Sequence, residues 1–395
     1  MTTIGIDYTS ALHQSAGIGR YTSELVSSLI NIDLGKEYYN YRLFSADLHN
    51  ALHSNPIFAS NKQLSNHNQF LLRGTRLSRR WLERLWYRLR LPLYVELWTG
   101  RLDLFHAPDF VLPPVLPKTR TIVTIHDLSY VRLPDITMPG MSNYLNKWVP
   151  YSVKTADHVI AVSEATRQDL IELYQTPSEK ITIIYHGVTP EFRPMEDESS
   201  HDIVCETYNI NDKPFILSVG TIQPRKNYQR LIQSFAQTLS RLPEPLSDQL
   251  ILVIGGGKGW QYETIYNEVT RLGLENRVRF IGFVADEDLP ALYNAATIFA
   301  YPALYEGFGL PALEAMACGT PVLVANTSAL PEVVGQAGRL VDPYNVPALA
   351  QSMVELLTDE AQRQQLRQAG LHQAAKFSWA EMATNLIALY GRVLD

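Results

Sequence analysis

A chain of 395 residues exceeds the size that one hydrophobic core normally serves, so two domains are expected. Hydrophobic residues make up 46% and charged residues 19% of the chain, which is typical of a globular protein and excludes a largely disordered one. The formal net charge of −6 argues against broad electrostatic binding of nucleic acid, although it allows local basic patches.

Two cysteines, Cys205 and Cys318, lie far apart and form no metal-ligand spacing, which favours a reducing compartment. The first residues lack the charged and apolar regions of a signal peptide, and no apolar run reaches the length of a membrane span. These features predict a cytoplasmic protein and leave contact with a membrane surface open.

Short apolar runs alternate with amphipathic segments along the chain, which predicts an α/β protein with parallel sheets covered by helices. The predicted strands of the first half are 3–7, 41–45, 104–107, 121–126, 158–162 and 181–185. Helical patterning covers 140–156 and 163–174, where Ser163 is a good N-cap residue. The segment 187–200 carries two prolines and no periodicity, and is predicted to link the domains.

The pattern of strands and helices starts again after this linker. The predicted strands of the second half are 215–220, 250–254, 278–282, 297–301 and 321–325. Such βαβ units bind ligands at the carboxyl ends of their strands. The last stretch, 378–394, has apolar residues at helical spacing and is predicted to form an amphipathic helix.

Two carboxylates lie eight positions apart around a glycine-rich turn, at Glu306 and Glu314. The glycines and Pro311 cannot all lie inside one helix, so Glu306 is predicted on a loop. Pro311 suits the first turn of a helix, which places Glu314 one turn further in. A strand-like run at 296–301 comes just before, so the unit is strand, loop and helix start. The start of such a helix can bind an anion such as phosphate, and the flanking carboxylates can accept hydrogen bonds from sugar hydroxyls. A ligand that contains both phosphate and sugar is a nucleotide sugar.

This segment closely resembles the Glu-x7-Glu signature of the retaining glycosyltransferases of family 4, which have the GT-B architecture of two Rossmann-like domains facing across a cleft. The resemblance implies that Glu306 contacts the hydroxyls of the donor sugar and that Glu314 contacts the nucleotide ribose. It also implies that the backbone between them faces the sugar and diphosphate, at Gly307, Phe308, Gly309 and Leu310. The alternative is a buried strand-turn-helix whose glutamates only cap or solvate.

The resemblance covers nearly the whole chain and is strongest at 215–342. It implies an N-terminal acceptor domain at 1–190, a nucleotide-sugar donor domain at 191–377 and a last helix, 378–395, packing back on the first domain. Within the family, the motifs are similar to those of bacterial mannosyl- and rhamnosyltransferase-like members, which makes GDP-mannose the leading donor.

A basic pair, Arg225 and Lys226, sits at the end of a predicted strand and before a helix. These cations can neutralise a leaving diphosphate, as a metal ion would in other designs. Lys226 matches the diphosphate lysine of the family, whereas Thr221 stands where the family often has an arginine, and Arg225 is predicted to compensate. The alternative is a pair of solvated charges in a first helical turn, a position the helix dipole disfavours for cations.

His126 ends the predicted strand 121–126, and a polar pair at a strand's carboxyl end faces the ligand-binding edge of an α/β sheet. The segment resembles the family's active-site histidine region, which implies that His126 lies near the donor sugar. Asp127 is either a cleft residue or simply a helix or turn cap.

The loop after the first strand holds Gly17, Gly19 and Arg20 and opens a helix. Its spacing fails the dinucleotide fingerprint. Family members carry a similar loop near the acceptor, so these residues either line the cleft or only make the turn.

Two other segments suggest motifs that their residues exclude. The run 255–260 has Gly259 rather than Ser or Thr after Lys258 and lacks the earlier glycine, so a Walker motif is rejected and the glycines are predicted to shape a loop. The acidic triplet 286–288 precedes a helical pattern and is predicted to cap it. No metal constellation appears, so the predicted transfer needs no metal and no cofactor.

The region 71–90 contains seven arginines interleaved with apolar residues. On a helix, Arg76, Arg80, Arg84 and Arg88 form one stripe beside a second stripe of Leu77, Trp81, Leu85 and Leu89. This pattern is typical of a helix on an anionic membrane surface. The alternative is a helix that packs its leucine face on the first domain and leaves its arginines in water.

The sequence therefore predicts a retaining hexosyltransferase that moves a sugar, with mannose the leading choice, from a nucleotide diphosphate to a glycan or lipid-linked acceptor. In this prediction Glu306, Lys226 and His126 serve catalysis. A GT-B-like nucleotide-sugar epimerase or hydrolase and a non-catalytic nucleotide-sugar-binding protein are the alternatives.

Overall fold

The computed structural model describes residues 2–14, 17–33, 38–50, 69–195, 198–210 and 214–395. The chain divides into two compact units. The first unit comprises Met1–Val131, Pro139–Gly187 and Trp379–Asp395, and the second comprises Arg132–Met138 and Val188–Ser378. The chain therefore enters the second unit briefly at Arg132–Met138, passes to it again after Gly187, and returns after Ser378.

The first unit is built on a parallel sheet. Its strands are β1 (Thr3–Asp7), β2 (Asn40–Ser45), β3 (Phe70–Gly74), β4 (Leu104–Ala107), β5 (Arg120–Ile125), β6 (His158–Ala161) and β7 (Ile181–Ile183). Across the described residues they form one sheet of seven strands in the order β3-β2-β1-β4-β5-β6-β7. Helices cover both faces of such a sheet, which is why nearly every residue of the strands β4 to β6 is buried.

The helices of this part of the chain are α1 (Thr9–His13), α2 (Ile18–Asp33), α3 (Arg79–Glu83), α4 (Glu96–Thr99), α5 (Ser129–Arg132), α6 (Pro139–Thr155) and α7 (Glu164–Tyr174). A π-helical turn, Arg84–Arg88, continues α3. The Oγ of Ser163 accepts a hydrogen bond from the amide of Thr166 at 3.1 Å, so the predicted N-cap of α7 is confirmed.

The second unit repeats the plan. Its strands are β8 (Phe215–Val219), β9 (Ile251–Gly255), β10 (Val278–Gly282), β11 (Ile298–Tyr301), β12 (Val322–Ala325) and β13 (Arg339–Val341). Over the described ranges they form a parallel sheet of six strands in the order β10-β9-β8-β11-β12-β13. The prediction of two parallel-sheet α/β units is confirmed.

The helices of the second unit are α8 (Glu198–Thr207), α9 (Tyr228–Leu239), α10 (Leu246–Gln249), α11 (Tyr262–Arg271), α12 (Leu289–Ala295), α13 (Leu310–Ala317), α14 (Leu330–Val334), α15 (Val346–Thr358) and α16 (Glu360–Ala374). The apolar face of α9, with Leu231 and Phe235, joins Ile216 of β8 and Leu252 of β9 in one buried core. Burial of this face explains why α9 forms, because an isolated helix of this length is marginal in water.

Each sheet has a point at which its strand order reverses. In the first unit β1 lies between β2 and β4, and in the second β8 lies between β9 and β11. Loops diverge at the carboxyl ends of such strands and leave a crevice in which α/β proteins bind ligands. The loops after β1 and β8 are therefore where each unit is expected to carry a site.

The last helix, α17 (Trp379–Leu394), belongs to the first unit. The hydroxyl of Tyr390 lies 2.8 Å from Nδ1 of His106 on β4, with both residues buried. The chain thus ends in the unit in which it began, as the resemblance implied. Over the described residues, no helix combines the length and apolar character needed to cross a bilayer.

Two strands were not predicted. The edge strand β3 overlaps the start of the arginine-rich segment 71–90, for which only a helix was considered. Further along this segment, α3 and the π-helical turn cover 79–88, within the stripes expected on a helix. The short edge strand β13 has only three residues, too few for its alternation to be recognised.

Candidate active site

Two loops at the carboxyl edge of the second sheet carry the basic pair and the first glutamate. Arg225 and Lys226 follow β8 in a short 3₁₀ turn, Pro224–Lys226, and Glu306 follows β11. The amide of Leu304 donates to the carbonyl of Arg225 at 2.9 Å, and the Arg225 guanidinium donates to the carbonyl of Tyr305 at 2.6 Å. Backbone contacts therefore hold the two loops together beside the reversal of strand order.

The charged side chains of these loops meet at one carboxylate oxygen. Oε1 of Glu306 lies 2.7 Å from Nζ of Lys226 and 3.1 Å from Nη1 of Arg225. The side chains of Lys226 and Glu306 are each 10% exposed, and that of Arg225 is 17% exposed. The alternative of solvated charges in a helical turn is therefore wrong, because the basic pair is largely buried.

The ionisation of Glu306 in this cluster depends on two opposing effects, its burial and its attraction to the two cations. Burial raises the pKa of Glu306, but the charges of Arg225 and Lys226 outweigh it, so the net pKa lies below the usual value. Lys226 also donates a hydrogen bond to the hydroxyl of Tyr301, whose own pKa burial raises well above normal. At neutral pH the cluster contains an ionised carboxylate, two cations and a protonated phenol.

Residues around the cluster fix the loop positions. The amide of Glu306 donates to Oγ of Ser328 at 2.9 Å. The side-chain amide of Asn227 donates to the carbonyls of Pro302 and Pro343 at 3.0 and 2.8 Å, which ties the loop after β8 to those after β11 and β13. Asn227 has a φ of 61°, a conformation that asparagine tolerates better than most residues.

Three of these residues were missed in the sequence. Tyr301 ends a predicted strand and Asn227 directly follows the basic pair, so their positions in the sequence could have identified them as site residues. Ser328 carried none, because its contact with Glu306 spans 22 residues of sequence.

The turn after Glu306 leads into α13 as predicted. Gly309 occupies the N-cap with a φ of +107°, and a Cβ there would lie 2.6 Å from Cδ2 of Leu330. The amides of Ala312 and Leu313 both donate to the carbonyl of Gly309, at 3.0 and 3.2 Å, and Pro311 has no amide hydrogen. These two amides are therefore already hydrogen-bonded within the helix. The anion site expected there centres on the backbone of Gly309 and Leu310.

The second glutamate lies inside α13. Glu314 is buried, and its Oε2 accepts a hydrogen bond from the hydroxyl of Tyr293 at 3.1 Å. Burial raises the pKa of the Cys318 thiol, and the Glu314 carboxylate raises it further, so this cysteine stays protonated. Phe308, between the two glutamates, is also buried and packs edge-on against Phe377.

The glycine-rich run after β9 shapes a neighbouring loop, as predicted. The amide of Ile222 donates to the carbonyl of Gly257, and the amide of Gly259 donates to the carbonyl of Ile222, both at 2.9 Å. The ammonium of Lys258 lies 4.8 Å from the ring centre of Tyr262, so its charge is directed to an aromatic face.

The acidic triplet does not cap α12 through a side chain. Asp288 occupies the N-cap position, but its carboxylate accepts from the hydroxyl of Tyr208 at 2.7 Å and makes no capping bond. That prediction is wrong because a tyrosine from α8's end competes for the carboxylate. In the described ranges, no group of three or more His, Cys, Asp or Glu residues is arranged to hold a metal ion.

In the first unit His126 directly follows β5 and is buried. Its Nε2 lies 2.8 Å from the carbonyl of Pro108, and since a carbonyl only accepts, this nitrogen carries the proton. Burial lowers the pKa of His126, which the Pro108 carbonyl and nearby acids only partly offset. The imidazole therefore is neutral at physiological pH and packs edge-on against Tyr21, with ring centres 4.8 Å apart.

The other candidates in the first unit have structural contacts. Oδ1 of Asp127 accepts from both the amide and the hydroxyl of Ser129, so Asp127 caps the start of α5. Gly17 precedes α2, and Gly19 and Arg20 lie in the first turn of this helix. A Cβ on Gly19 would meet the backbone of Ser10 and Gln14, and Arg20 is half-buried. Contact of these residues with a ligand stays a prediction.

Comparison with known proteins places the chain in a family. Residues 17–192 match the family model described as Glycosyltransferase Family 4, and residues 205–373 match the model described as Glycosyl transferases group 1. The O-antigen chain mannosyltransferase B of Escherichia coli is 34% identical over 382 residues, which cover 95% of each chain. The chain belongs to the family 4 glycosyltransferases, and it is a glycosyltransferase enzyme.

Two further proteins extend the comparison. The serotype-specific mannosyltransferase WbdA of Escherichia coli is 37% identical over 256 residues, which cover 64% of this chain and 30% of that protein. The structure of sucrose-phosphate synthase from Thermosynechococcus elongatus aligns over 100% of this chain and 99% of its own, with a TM-score of 0.73 and 21% identity. This likeness concerns the fold alone, and the fold is GT-B.

Proposed function

We propose that this glycosyltransferase moves a mannosyl unit from GDP-mannose to a saccharide or lipid-linked saccharide, with retention of configuration and without a metal ion. The observation that carries the proposal is the buried contact of Glu306 with both Arg225 and Lys226 at the carboxyl edge of the second sheet. The similarity to proteins described as mannosyltransferases supports the choice of sugar.

The cluster is suited to a nucleotide diphosphate. Arg225 and Lys226 carry more positive charge than Glu306 neutralises, so the site attracts an anion, and charge-assisted hydrogen bonds to phosphate are strong. As the sugar departs from the diphosphate, these cations stabilise the charge that develops on the leaving group. They perform the task that a metal ion performs in other transferases.

The two glutamates are assigned different parts of the donor. Glu306 accepts hydrogen bonds from the sugar hydroxyls once the diphosphate engages its cations, and Glu314 accepts from the ribose. The backbone of Gly309 and Leu310 faces the diphosphate. In the first unit, neutral His126 accepts a hydrogen bond at Nδ1 from a hydroxyl of the reacting sugar, since its Nε2–H is donated to Pro108. The Gly17 loop with Arg20 contributes to binding the acceptor.

Thermal stabilisation by a panel of GDP, UDP, dTDP and their sugars, with and without EDTA, tests the donor assignment. Binding to the folded state raises the melting temperature by mass action. We expect GDP and GDP-mannose to give the largest shift, unchanged by EDTA. A larger shift with another base, or a shift lost with EDTA, overturns the corresponding part of the proposal.

The alternatives differ in how they consume the donor. An epimerase or hydrolase turns over the nucleotide sugar at full rate without an acceptor, and a non-catalytic binding protein never turns it over. We expect release of GDP to depend on an added saccharide. Full-rate release without one would favour the hydrolase, and binding without turnover would favour the binding protein.

We also propose that the basic segment docks on an anionic membrane. The core-facing side chains of this segment are Leu82 and Trp86, so the leucine stripe considered above is not the face that packs. Trp81 is 55% exposed and Leu89 is 60% exposed. They lie among the exposed arginines Arg76, Arg80, Arg84, Arg88 and Arg90.

Exposed apolar side chains framed by arginines fit the interface of an anionic bilayer, on the cytoplasmic face in our proposal. Flotation with vesicles of neutral and of anionic lipid measures this contact. We expect salt-sensitive binding to the anionic vesicles that is lost in the Arg80→Glu/Arg84→Glu variant. The matched control Arg101→Glu/Lys118→Glu changes the charge equally elsewhere in the first unit, and equal loss in both variants would contradict the assigned surface.

A further inference from the structure

A polar cavity lies at the carboxyl edge of the first sheet. Asp7 is the last residue of β1, and Asp109 follows β4 by two residues, so both acids lie where the strand order of this sheet reverses. We call this cavity the first-unit pocket. Its charged residues and tyrosines are Asp7, Arg79, Glu83, Tyr87, Asp109 and Tyr144.

A guanidinium is held in place at this pocket by two carboxylates. Nη2 of Arg79 lies 3.1 Å from Oδ2 of Asp109, and Nε lies 3.0 Å from Oε1 of Glu83. The Arg79 side chain remains 40% exposed. Because arginine has five N–H donors in a rigid fork, the contacts that fix its position still allow it to donate to a ligand.

Aromatic rings form the other walls. Tyr87 and Tyr144 pack edge to face with ring centres 6.0 Å apart, and Trp86 lines the pocket beside them. Burial raises the pKa of both tyrosines, so their hydroxyls stay protonated and can donate hydrogen bonds. The pocket thus combines apolar ring surface with convergent donors and acceptors, as small-molecule sites do.

The charges of the pocket select the class of ligand. Three carboxylates face one guanidinium, which disfavours a phosphate or another anion. Asp109 and Glu83 are already paired with Arg79, at 3.1 and 3.0 Å, so neither carboxylate is available to a second cation. A neutral molecule rich in hydroxyls suits the site, because hydroxyls donate to carboxylates and accept from the guanidinium.

We propose that the first-unit pocket binds one sugar unit of the acceptor saccharide, an inference that rests on the proposed function. The cavity has a volume of about 40 Å³, which is room for a few water-sized groups rather than for a whole pyranose ring. The pocket therefore takes the hydroxyl-bearing edge of one sugar unit, while the rest of the saccharide stays outside. Asp109 and Tyr144 then act as specificity-determining residues.

Two variants test the pocket. Tyr144→Phe removes one hydroxyl and keeps the ring, and Asp109→Asn removes one charge and keeps the shape. Tyr151→Phe is the matched control, since Tyr151 lies on the same helix, α6, and is 54% exposed. Glu179→Gln is the control for the loss of a carboxylate on the exposed surface of this unit.

The first measurement is binding of methyl α-mannoside and an α-linked mannobiose by saturation-transfer NMR. We expect wild type and both controls to bind, and Tyr144→Phe and Asp109→Asn to bind roughly tenfold more weakly. Wild type that binds neither sugar, or pocket variants that bind as well as wild type, would overturn the proposal. This readout needs no turnover, so it stands even if the donor is misassigned.

The second measurement is steady-state transfer with mannobiose as acceptor. We expect the pocket variants to raise the KM for the acceptor about tenfold. The KM for the donor and its slow hydrolysis without acceptor should not change. Wild-type acceptor KM in both pocket variants would refute the pocket and leave the proposed function intact. Failure of wild type to bind any nucleotide sugar would instead refute the proposed function.

Discussion

Nζ of Lys226 lies 2.7 Å from Oε1 of Glu306, and both side chains are nine-tenths buried although 80 residues separate them in sequence. Two opposite charges buried this deeply require good mutual geometry to offset the loss of hydration. Arg225 adds a second cation at 3.1 Å from the same oxygen. The glutamate therefore fixes the positions of both cations. In the proposed function, Glu306 becomes available to the sugar hydroxyls when a diphosphate binds these cations.

Glu306→Gln should impair transfer of the sugar without weakening the binding of GDP. The amide no longer neutralises Lys226 and Arg225, so we expect GDP to bind as tightly as to wild type or more tightly. Transfer should fall by about 100-fold or more, the usual effect of removing one preorganised polar contact to the reacting group. Calorimetric titration with GDP and initial rates measure the two effects.

Glu275→Gln is the matched control, because Glu275 is exposed and precedes β10 at the opposite, amino end of the strands. We expect wild-type binding and rates in this control. A Glu306→Gln enzyme that loses GDP binding and transfer in equal proportion would show that Glu306 serves only to organise the site.

Lys226→Met should weaken the binding of GDP. The variant removes a charged hydrogen-bond donor and leaves the carboxylate, so we expect the Kd for GDP to rise roughly 10- to 100-fold. Arg241→Met removes an exposed cation at the far end of α9 and should leave the Kd unchanged. Equal Kd values in the two variants, measured by titration calorimetry, would contradict the diphosphate role of Lys226.

Gly309→Ala should destabilise the turn before α13. Its φ of +107° is strained for alanine, and the new Cβ would lie 2.6 Å from Leu330. We expect a loss of about 2 kcal/mol in the free energy of unfolding, measured by urea denaturation. The matched control is Gly273→Ala, where φ is +67° but the Cβ meets open space. A loss in Gly309→Ala no greater than in this control would show that contact with Leu330 is unimportant.

The lowered pKa of Glu306 predicts how stability depends on pH. Burial raises this pKa, but the two cations lower it by more, so the folded value lies below the usual 4.5. A depressed carboxylate pKa stabilises the folded state above the unfolded value, and this contribution is lost as pH falls through the folded value. We therefore expect the stability advantage of wild type over Glu306→Gln to be constant near neutral pH and to shrink below about pH 4.5.

Urea denaturation of both proteins at a series of pH values measures this advantage. The contributions of the other acidic residues cancel in the difference, because both proteins contain them. An advantage that grows as pH falls would show that burial outweighs the cations and that the pKa is raised.

The sequence predicted most strands because buried parallel strands are short apolar runs between helical segments. It missed β3, whose short apolar run continues into the arginine-rich segment, and β13, whose three residues are too few to show a pattern. It placed Glu306, Glu314 and Lys226 through motifs whose spacing is local. It did not indicate Tyr301 or Ser328 as partners, because their contacts with these residues form only when distant loops meet.

The same limit applies to the first-unit pocket. Asp7, Arg79 and Asp109 come from three separated segments, and only the strand order places them together. Sequence also does not show that two amides of α13 donate to the carbonyl of Gly309. These two amides are therefore not available to the anion expected at this turn. These contacts depend on backbone geometry, which composition and spacing do not determine.

The most direct test of the central claim is proton NMR of wild type incubated with GDP-mannose and mannobiose in the presence of EDTA. We predict GDP release that depends on the mannobiose, together with a new α-anomeric signal from the transferred mannose, and neither in Glu306→Gln. Release of GDP at the same rate without mannobiose, or a β-anomeric product, would contradict a metal-independent retaining transfer.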